Sequence, residues 1–468
     1  MTLLGPKIAA ARAVGELARR AGRGGGTSLP GKVLMALEPA AISELSARLP
    51  RGSVVVSATN GKTTTAAMIA SVLGHADIPV VHNRAGANMA GGVASTLLAA
   101  ARGGGRIEGE LGLFEIDEFW LDRVTPQLEP RGILLGNLFR DQLDRYGELD
   151  TIADRWAAVA SAASAPGSAA RLVLNADDPL IADLGREAAN VTYFGVEDPS
   201  VAIPEMQHAS DSKHCRRCGA AYFYEAIYLG HLGRYRCPSC GQERPAPAVA
   251  AERIELDGTR GSRFELTTPV GSAAVELPLP GLYNVYNALG AAALCLGLDV
   301  PLGDVAAGLH EVQAAFGRAE RIAIGDIELQ VLLIKNPAGA NEILRTLVLE
   351  HEELDLLAVL NDRIADGRDV SWVWDADFEM LAGRVRRVTC AGTRAAELAV
   401  RLKYAGVPTD RLYVIPGLVP ALDAALAAVH SGHLYALPTY TALLELRQEL
   451  AARGHAVRFW EPEAVVRQ

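Results

Sequence analysis

The sequence predicts an α/β protein of two sheet domains, the first interrupted by a small four-cysteine insertion. Three observations carry that prediction. The stretch "RGSVVVSATNGKTTTAAMIASVL" runs from an apolar strand at Val54–Val56 through a small-residue loop into a helix opened by Lys62-Thr63-Thr64, the order of parts that cradles a nucleotide triphosphate. From about residue 321, apolar strands ("LQVLLIK", "DLLAVLN", "VRRVTCA", "RLYVIP", "HLYALP") alternate with helical stretches such as "NEILRTLVLE", which predicts a parallel sheet with helices on its faces. Between them lie Cys215-x-x-Cys218 and Cys237-x-x-Cys240, 18 residues apart, a spacing that suits tetrahedral zinc.

The 468 residues suffice for two or three cores. The expected division is a helical segment at 1–50, a central ATP-binding domain at 51–320 with the ribbon at about 212–243, and a Rossmann-like C-terminal domain at 321–468. Half the residues are hydrophobic and 21% are charged, an ordinary globular balance. The net charge of -10 opposes affinity for polyanions, which excludes nucleic acid as the expected partner. No run reaches the roughly 18 to 20 apolar residues that span a bilayer; the nearest, "ALGAAALCLGL" at 288–298, is too short. The N-terminal segment spreads Lys7, Arg12, Arg19 and Arg20 among its apolar residues, unlike a secretory leader. It is expected to pack on its own domain rather than rest on an anionic membrane, and the protein is expected in the cytoplasm.

In the phosphate loop, backbone amides and the helix N-terminus aim positive dipoles at phosphate oxygens, Lys62 reaches the β/γ phosphates and Thr63 can ligate Mg²⁺. The first glycine of the common pattern is replaced by Val56, leaving Ala58-Thr59-Asn60-Gly61-Lys62-Thr63-Thr64. In the ribbon, Gly219 and Gly241 follow the cysteine pairs, and the intervening "AYFYEAIYLGHLGRYR" suits a hairpin. Four thiolates fill the coordination shell, so the zinc is expected to be structural. Arg216, Arg217, Arg234 and Arg236 are expected on a solvated or protein-docking face, and Cys295 and Cys390 as buried spectators.

The short loop "ATNGKTT" resembles that of the Mur-type amide ligases, and further stretches follow in that family's order. "LFEIDEFWL" offers Glu115 where the family places a magnesium-binding glutamate. "GNLFRDQLDRYGELD" keeps Asn137, Asp141 and Asp144; "LVLNADDP" has Asn175, Asp177 and Asp178; "GLYNVYNALGAAA" has Asn284 and Asn287. The resemblance implies that Asn287 sits near the adenine and that Arg318 of "FGRAER" approaches the phosphates. It also implies departures: Gln142 replaces a histidine, and Arg155 and Trp156 stand where the family carries a carbamylated lysine. No lysine lies between Lys62 and Lys213, which puts a second magnesium in doubt. Only about 55 residues precede the loop, so a UDP-binding domain is not expected.

Two C-terminal loops sharpen the resemblance. "IKNPAGANEIL" carries Lys335, Asn336 and Asn341; "LNDRIADGRDVSWVWDADFE" carries Asp362, Asp366, Asp369 and Asp375 beside Trp372 and Trp374. With the ribbon and "ATNGKTTT", they resemble the MurT family, ligase-like subunits of lipid II isoglutaminyl synthases. The resemblance implies a heterodimer with a GatD-type glutaminase and ATP-driven amidation of a D-glutamate α-carboxylate in the lipid II stem peptide, at the membrane face. It also implies that an aspartate of the second loop completes the partner's Cys-His pair; Asp369 is favoured, with Asp366 as runner-up. The alternatives are a folylpolyglutamate synthase-like or other Mur-type ligase, and a nucleotide-dependent regulator whose ribbon contacts nucleic acid.

Overall fold

Three helices lead into the first strand: α1 (Leu4–Arg20), α2 (Leu29–Leu37) and α3 (Ala41–Ser46). The computed structural model describes residues 4–20, 28–83, 87–102, 106–141, 149–208, 210–313 and 318–456. Leu4, Ile8 and Ala11 recur at helical spacing and are buried, so α1 turns one face inward. Lys7 pairs with Glu38 at 2.7 Å, and the Arg12 guanidinium donates to the Leu98 carbonyl at 2.7 Å. The segment therefore packs on its own domain.

The central sheet follows from β1 (Ser53–Ser57), β2 (Val80–His82), β3 (Leu111–Glu115), β4 (Gly132–Leu135), β5 (Arg171–Asn175) and β6 (Val191–Val196). After the ribbon hairpin, β7 (Phe223–Leu229) and β8 (Leu232–Arg236), come β9 (Val249–Asp257), β10 (Gly261–Thr268) and β11 (Gly271–Leu277). Among the described residues the sheet order is β11-β10-β9-β6-β5-β4-β1-β3-β2, parallel from β9 to β2 and antiparallel from β9 to β11. Its parallel strands read as continuous apolar runs because both faces are covered. The described helices of this half are α4 (Lys62–His75), α5 (Ala90–Ala100), α6 (Leu121–Leu128), α7 (Leu149–Ala163), α8 (Pro179–Asp183), α9 (Leu282–Leu296) and α10 (Leu302–His310). One core joins α4, α9 and α10 to one face; the other joins α2, α5, α6 and α7 to the opposite face.

The second sheet begins at β12 (Arg318–Ile324) and β13 (Ile327–Leu332), followed by α11 (Pro337–Leu347), β14 (Leu354–Val359), β15 (Val385–Ala391), α12 (Ala395–Tyr404), β16 (Leu412–Val414), α13 (Leu418–Ala428), β17 (His433–Pro438) and α14 (Tyr440–Ala452). Its order is β12-β13-β17-β14-β15-β16, antiparallel only between β12 and β13. The five strands read from the sequence are β13 to β17. No helix among the described residues is long and apolar enough to cross a membrane. Cys295 and Cys390 are buried as expected, and burial pushes the Cys390 thiol up to about 12.

Candidate active site

β1 hydrogen-bonds to β3 on one side and β4 on the other, so connections diverge at its carboxyl end, where open α/β sheets bind ligands. Val56 lies inside β1 and pairs with Glu115 of β3, in strand backbone that asks for no glycine. Gly61 then turns the chain at φ +89°, a conformation that strains residues with a Cβ. A Cβ there would also collide with the Asn287 amide oxygen. Asn137 fixes the loop from the side, accepting from the Asn60 N–H at 2.9 Å and donating to the Asn60 carbonyl at 2.9 Å.

Beneath the loop, Lys62 is buried and donates to Glu118 Oε2 at 2.8 Å. Burial works against its charge, but Glu118, Asp117 and Glu115 more than offset this and hold the ammonium above its usual range. Glu115 ends β3, and its N–H donates to Asn83 Oδ1 at 2.8 Å. The second domain closes the other side. Lys335, just past β13, reaches Asp141 at 2.6 Å and the Thr59 carbonyl at 3.1 Å. Asn336 caps α11 by accepting from the Gly339 N–H at 2.8 Å while its amide donates to Asn60 Oδ1 at 3.0 Å.

These residues line a cavity of 390 Å³. Of the residues expected at the site, Thr59, Asn60, Gly61, Lys62, Thr63, Thr64, Glu115, Asn137, Asp141, Asn284, Asn287 and Lys335 come together there. The side chain of Arg318, and Gln142 and Asp144, lie outside the described residues. Asn175, Asp177, Asp178 and Asn341 serve the frame. Asp178 accepts from the N–H groups of Leu180 and Ile181 at the start of α8, Asp177 binds Arg244 and Tyr286, and Asn341 donates to Asp377 at 2.8 Å. Asp117, Glu118, Tyr283, Tyr286, Glu342 and Tyr440 also face the cavity and were not read from sequence. The three acids packed into "EIDE" were the available signal for the first two.

The carboxylates of the β14 loop differ sharply. Asp366 is buried, accepting from the Thr441 N–H at 2.7 Å and its hydroxyl at 2.5 Å; it ties the loop to α14. Asp369 is exposed, and Ser371, through its hydroxyl and its N–H, holds its carboxyl below the usual range. On the same loop, Trp374 is 52% exposed and packs 6.0 Å from Tyr404, itself 71% exposed.

The four cysteine sulfurs lie within 4.8 Å of one another and could hold a metal ion; the donor set, all thiol, fits a tetrahedral centre closed to water. Of the ribbon arginines, Arg216, Arg217 and Arg236 are exposed, Arg236 lying over the Phe223 ring; Arg216 also pairs with Asp154, Arg217 with Asp183 and Arg234 with Glu197. These three pairs meet acids of the neighbouring helices and of the β6 end.

Comparison with known proteins agrees with this geometry. The Mur ligase middle domain matches residues 56–235, and the MurT ligase C-terminal domain matches residues 333–443. The lipid II isoglutaminyl synthase (glutamine-hydrolyzing) subunit MurT of Streptococcus pneumoniae (strain ATCC BAA-255 / R6) is 34% identical over 439 residues, 92% of this chain and 93% of that protein. The chain belongs to the MurT family. The MurT subunit of Staphylococcus aureus (strain N315) is 31% identical, over 93% of this chain and 96% of its own length. Among solved structures, a pseudomurein peptide ligase type C from Methanothermus fervidus superposes with a TM-score of 0.65 at 23% identity, over 86% of this chain and 79% of that one. That likeness shows the fold.

Proposed function

We propose that this chain is the ATP-dependent ligase subunit of a lipid II isoglutaminyl synthase. It converts the α-carboxylate of the stem-peptide D-glutamate to an amide with ammonia supplied by a GatD-type glutaminase. The observation that carries the reading is the cavity in which a phosphate loop, an acid cluster and Lys335 of the second domain converge, in a chain of MurT family. A carboxylate resists ammonia because its charge repels the nucleophile and oxide does not leave. Transfer of the γ-phosphoryl group to a carboxylate oxygen, with release of ADP, gives an acyl phosphate; ammonia attacks its carbonyl and phosphate departs. Mg²⁺, held by Thr63 and Glu115, would neutralise charge on the transferring phosphoryl group. Lys62, moving from Glu118 to the phosphates, adds a second positive charge, and the loop amides orient the oxygens. Lys335 and Asn336 hold the second domain over the loop, excluding water that would hydrolyse the acyl phosphate.

Zinc in the four-cysteine site would be structural. Asp369, exposed and held ionised by Ser371, suits the role of orienting a partner's histidine and stabilising its protonated form. Asp366 is already engaged within its own domain. The Trp374–Tyr404 surface beside it supports protein contact there, since aromatic side chains anchor interfaces. The working place is then the cytoplasmic membrane face. The test is mass spectrometry of lipid II incubated with the complex, ATP and glutamine. Lys62→Ala and Glu115→Ala, each folded and bound to partner, should lose amidation by more than about a hundredfold; amidation at the unmodified rate would refute the assignment.

A further inference from the structure

The ribbon does more than stand beside the central domain: the tip of its hairpin enters the cavity. Leu229 ends β7, Leu232 begins β8, and both line the cavity. Both belong to the apolar cluster that holds Phe139, Tyr286 and Ala338, with Tyr283 packed against it. Tyr283, Tyr286 and Asn287 share one face of α9, and all three line the same cavity as the tip. A purine base needs apolar surface against its faces, and Leu229 and Leu232 with Tyr283 and Tyr286 offer such surface in the cavity that the loop also lines.

The tip is held in register from three sides. The Gly230 N–H donates to Gln207 Oε1 at 3.0 Å, the Gly233 N–H donates to the Asp177 carbonyl at 2.9 Å, and Arg345 of α11 donates to the Tyr228 carbonyl at 2.7 Å. Gly230 sits at φ +56°, where a Cβ would press on Phe139 at 2.8 Å. His231, fully buried, packs its ring 4.5 Å from Phe139, and the Phe139 N–H donates to Thr59 Oγ1 of the phosphate loop at 3.0 Å. A continuous set of contacts thus runs from the hairpin to the loop.

We propose that Leu229 and Leu232 form the wall against which the purine base packs, so that the ribbon helps to set nucleotide affinity. The proposal rests on the nucleotide occupying the phosphate-loop cavity, as the proposed function requires. It is tested by titration calorimetry of the full-length, metal-replete chain with two magnesium-loaded probes, the ATP analogue AMPPNP and base-free inorganic tripolyphosphate. Leu232→Ala should weaken AMPPNP about tenfold and leave tripolyphosphate unchanged, with Leu232→Met restoring most of the loss. Equal weakening of both probes, or unchanged AMPPNP affinity in folded Leu232→Ala, would overturn it. Lys62→Ala should weaken both; if it weakens neither, the phosphate-loop reading fails instead. Should Leu232→Ala not fold, methyl-labelled leucine in the unmodified chain decides: Overhauser contacts from the base protons to the Leu229 and Leu232 methyls support the wall, and their absence refutes it.

Discussion

At the level of single residues, Gly61 is the least replaceable part of the loop. Its positive φ and its contact with Asn287 impose independent penalties on any side chain, so Gly61→Ala should weaken ATP binding by more than about tenfold, read by calorimetry. The two aspartates of the β14 loop part company under the same logic. Asp366→Asn exchanges an acceptor-only carboxylate for an amide against the Thr441 N–H and hydroxyl, and should lower the melting temperature of the isolated chain. Asp369→Asn, at an exposed position, should leave melting and ATP binding unchanged while suppressing glutamine hydrolysis by the complex, measured as released ammonia. Unchanged hydrolysis would remove Asp369 from the partner's triad. Glu115 was named only through the resemblance to the Mur-type ligases, whereas the loop and the cysteines were legible in sequence because each is a local pattern whose chemistry depends on spacing. Glu118 and Glu342 were not, since what distinguishes them is burial against Lys62 and Arg345, which no local pattern encodes.

At the level of elements, the ribbon's attachment rests on charge. Arg244, just past the hairpin, meets buried Asp177 at 2.5 Å and Glu197 at 2.6 Å, while the Tyr286 hydroxyl donates to Asp177 at 2.6 Å. Burial raises the Asp177 carboxyl above its usual range even against Arg244, so removing the guanidinium strands a buried acid. Arg244→Met should cost about 3–5 kcal/mol, measured by urea unfolding, with Asp177→Asn in the same chain recovering part of it. Such a network joins positions 177, 197, 244 and 286, too distant in sequence for spacing to betray them. The strands, by contrast, were readable: buried parallel strands are short apolar runs, and β13 to β17 stand out as such. β12 escaped because it is an edge strand of mixed polarity, defined by its antiparallel pairing with β13.

At the level of the whole molecule, the two sheets share no strand, and their domains meet through apolar contacts, Ala338 in the central cluster and Tyr283 against the second core, and through polar ones that include the Asn60–Asn336 amide pair, Lys335 on Asp141, Arg345 on Tyr228, Glu350 on the Thr259 N–H, and His208 with Asp377 at 2.9 Å. Asp377 raises the His208 imidazole above its usual value of 6.5, by hydrogen bond first and then by charge. A raised value makes this contact strongest below the ordinary histidine range and weakens it as pH climbs through the shifted value. Asp377→Asn should therefore lower the pH at which the His208 ring titrates, read from its NMR shifts. The relative placement of the domains was beyond the sequence, because the contacts that join the halves link residues far apart in the chain, such as Tyr283 with the second core and Asn60 with Asn336. The paired rings of Trp374 and Tyr404 carry a practical consequence. In the proposed heterodimer the glutaminase subunit would cover these rings, which left bare favour clumping; producing the chain together with that subunit should then raise its soluble yield.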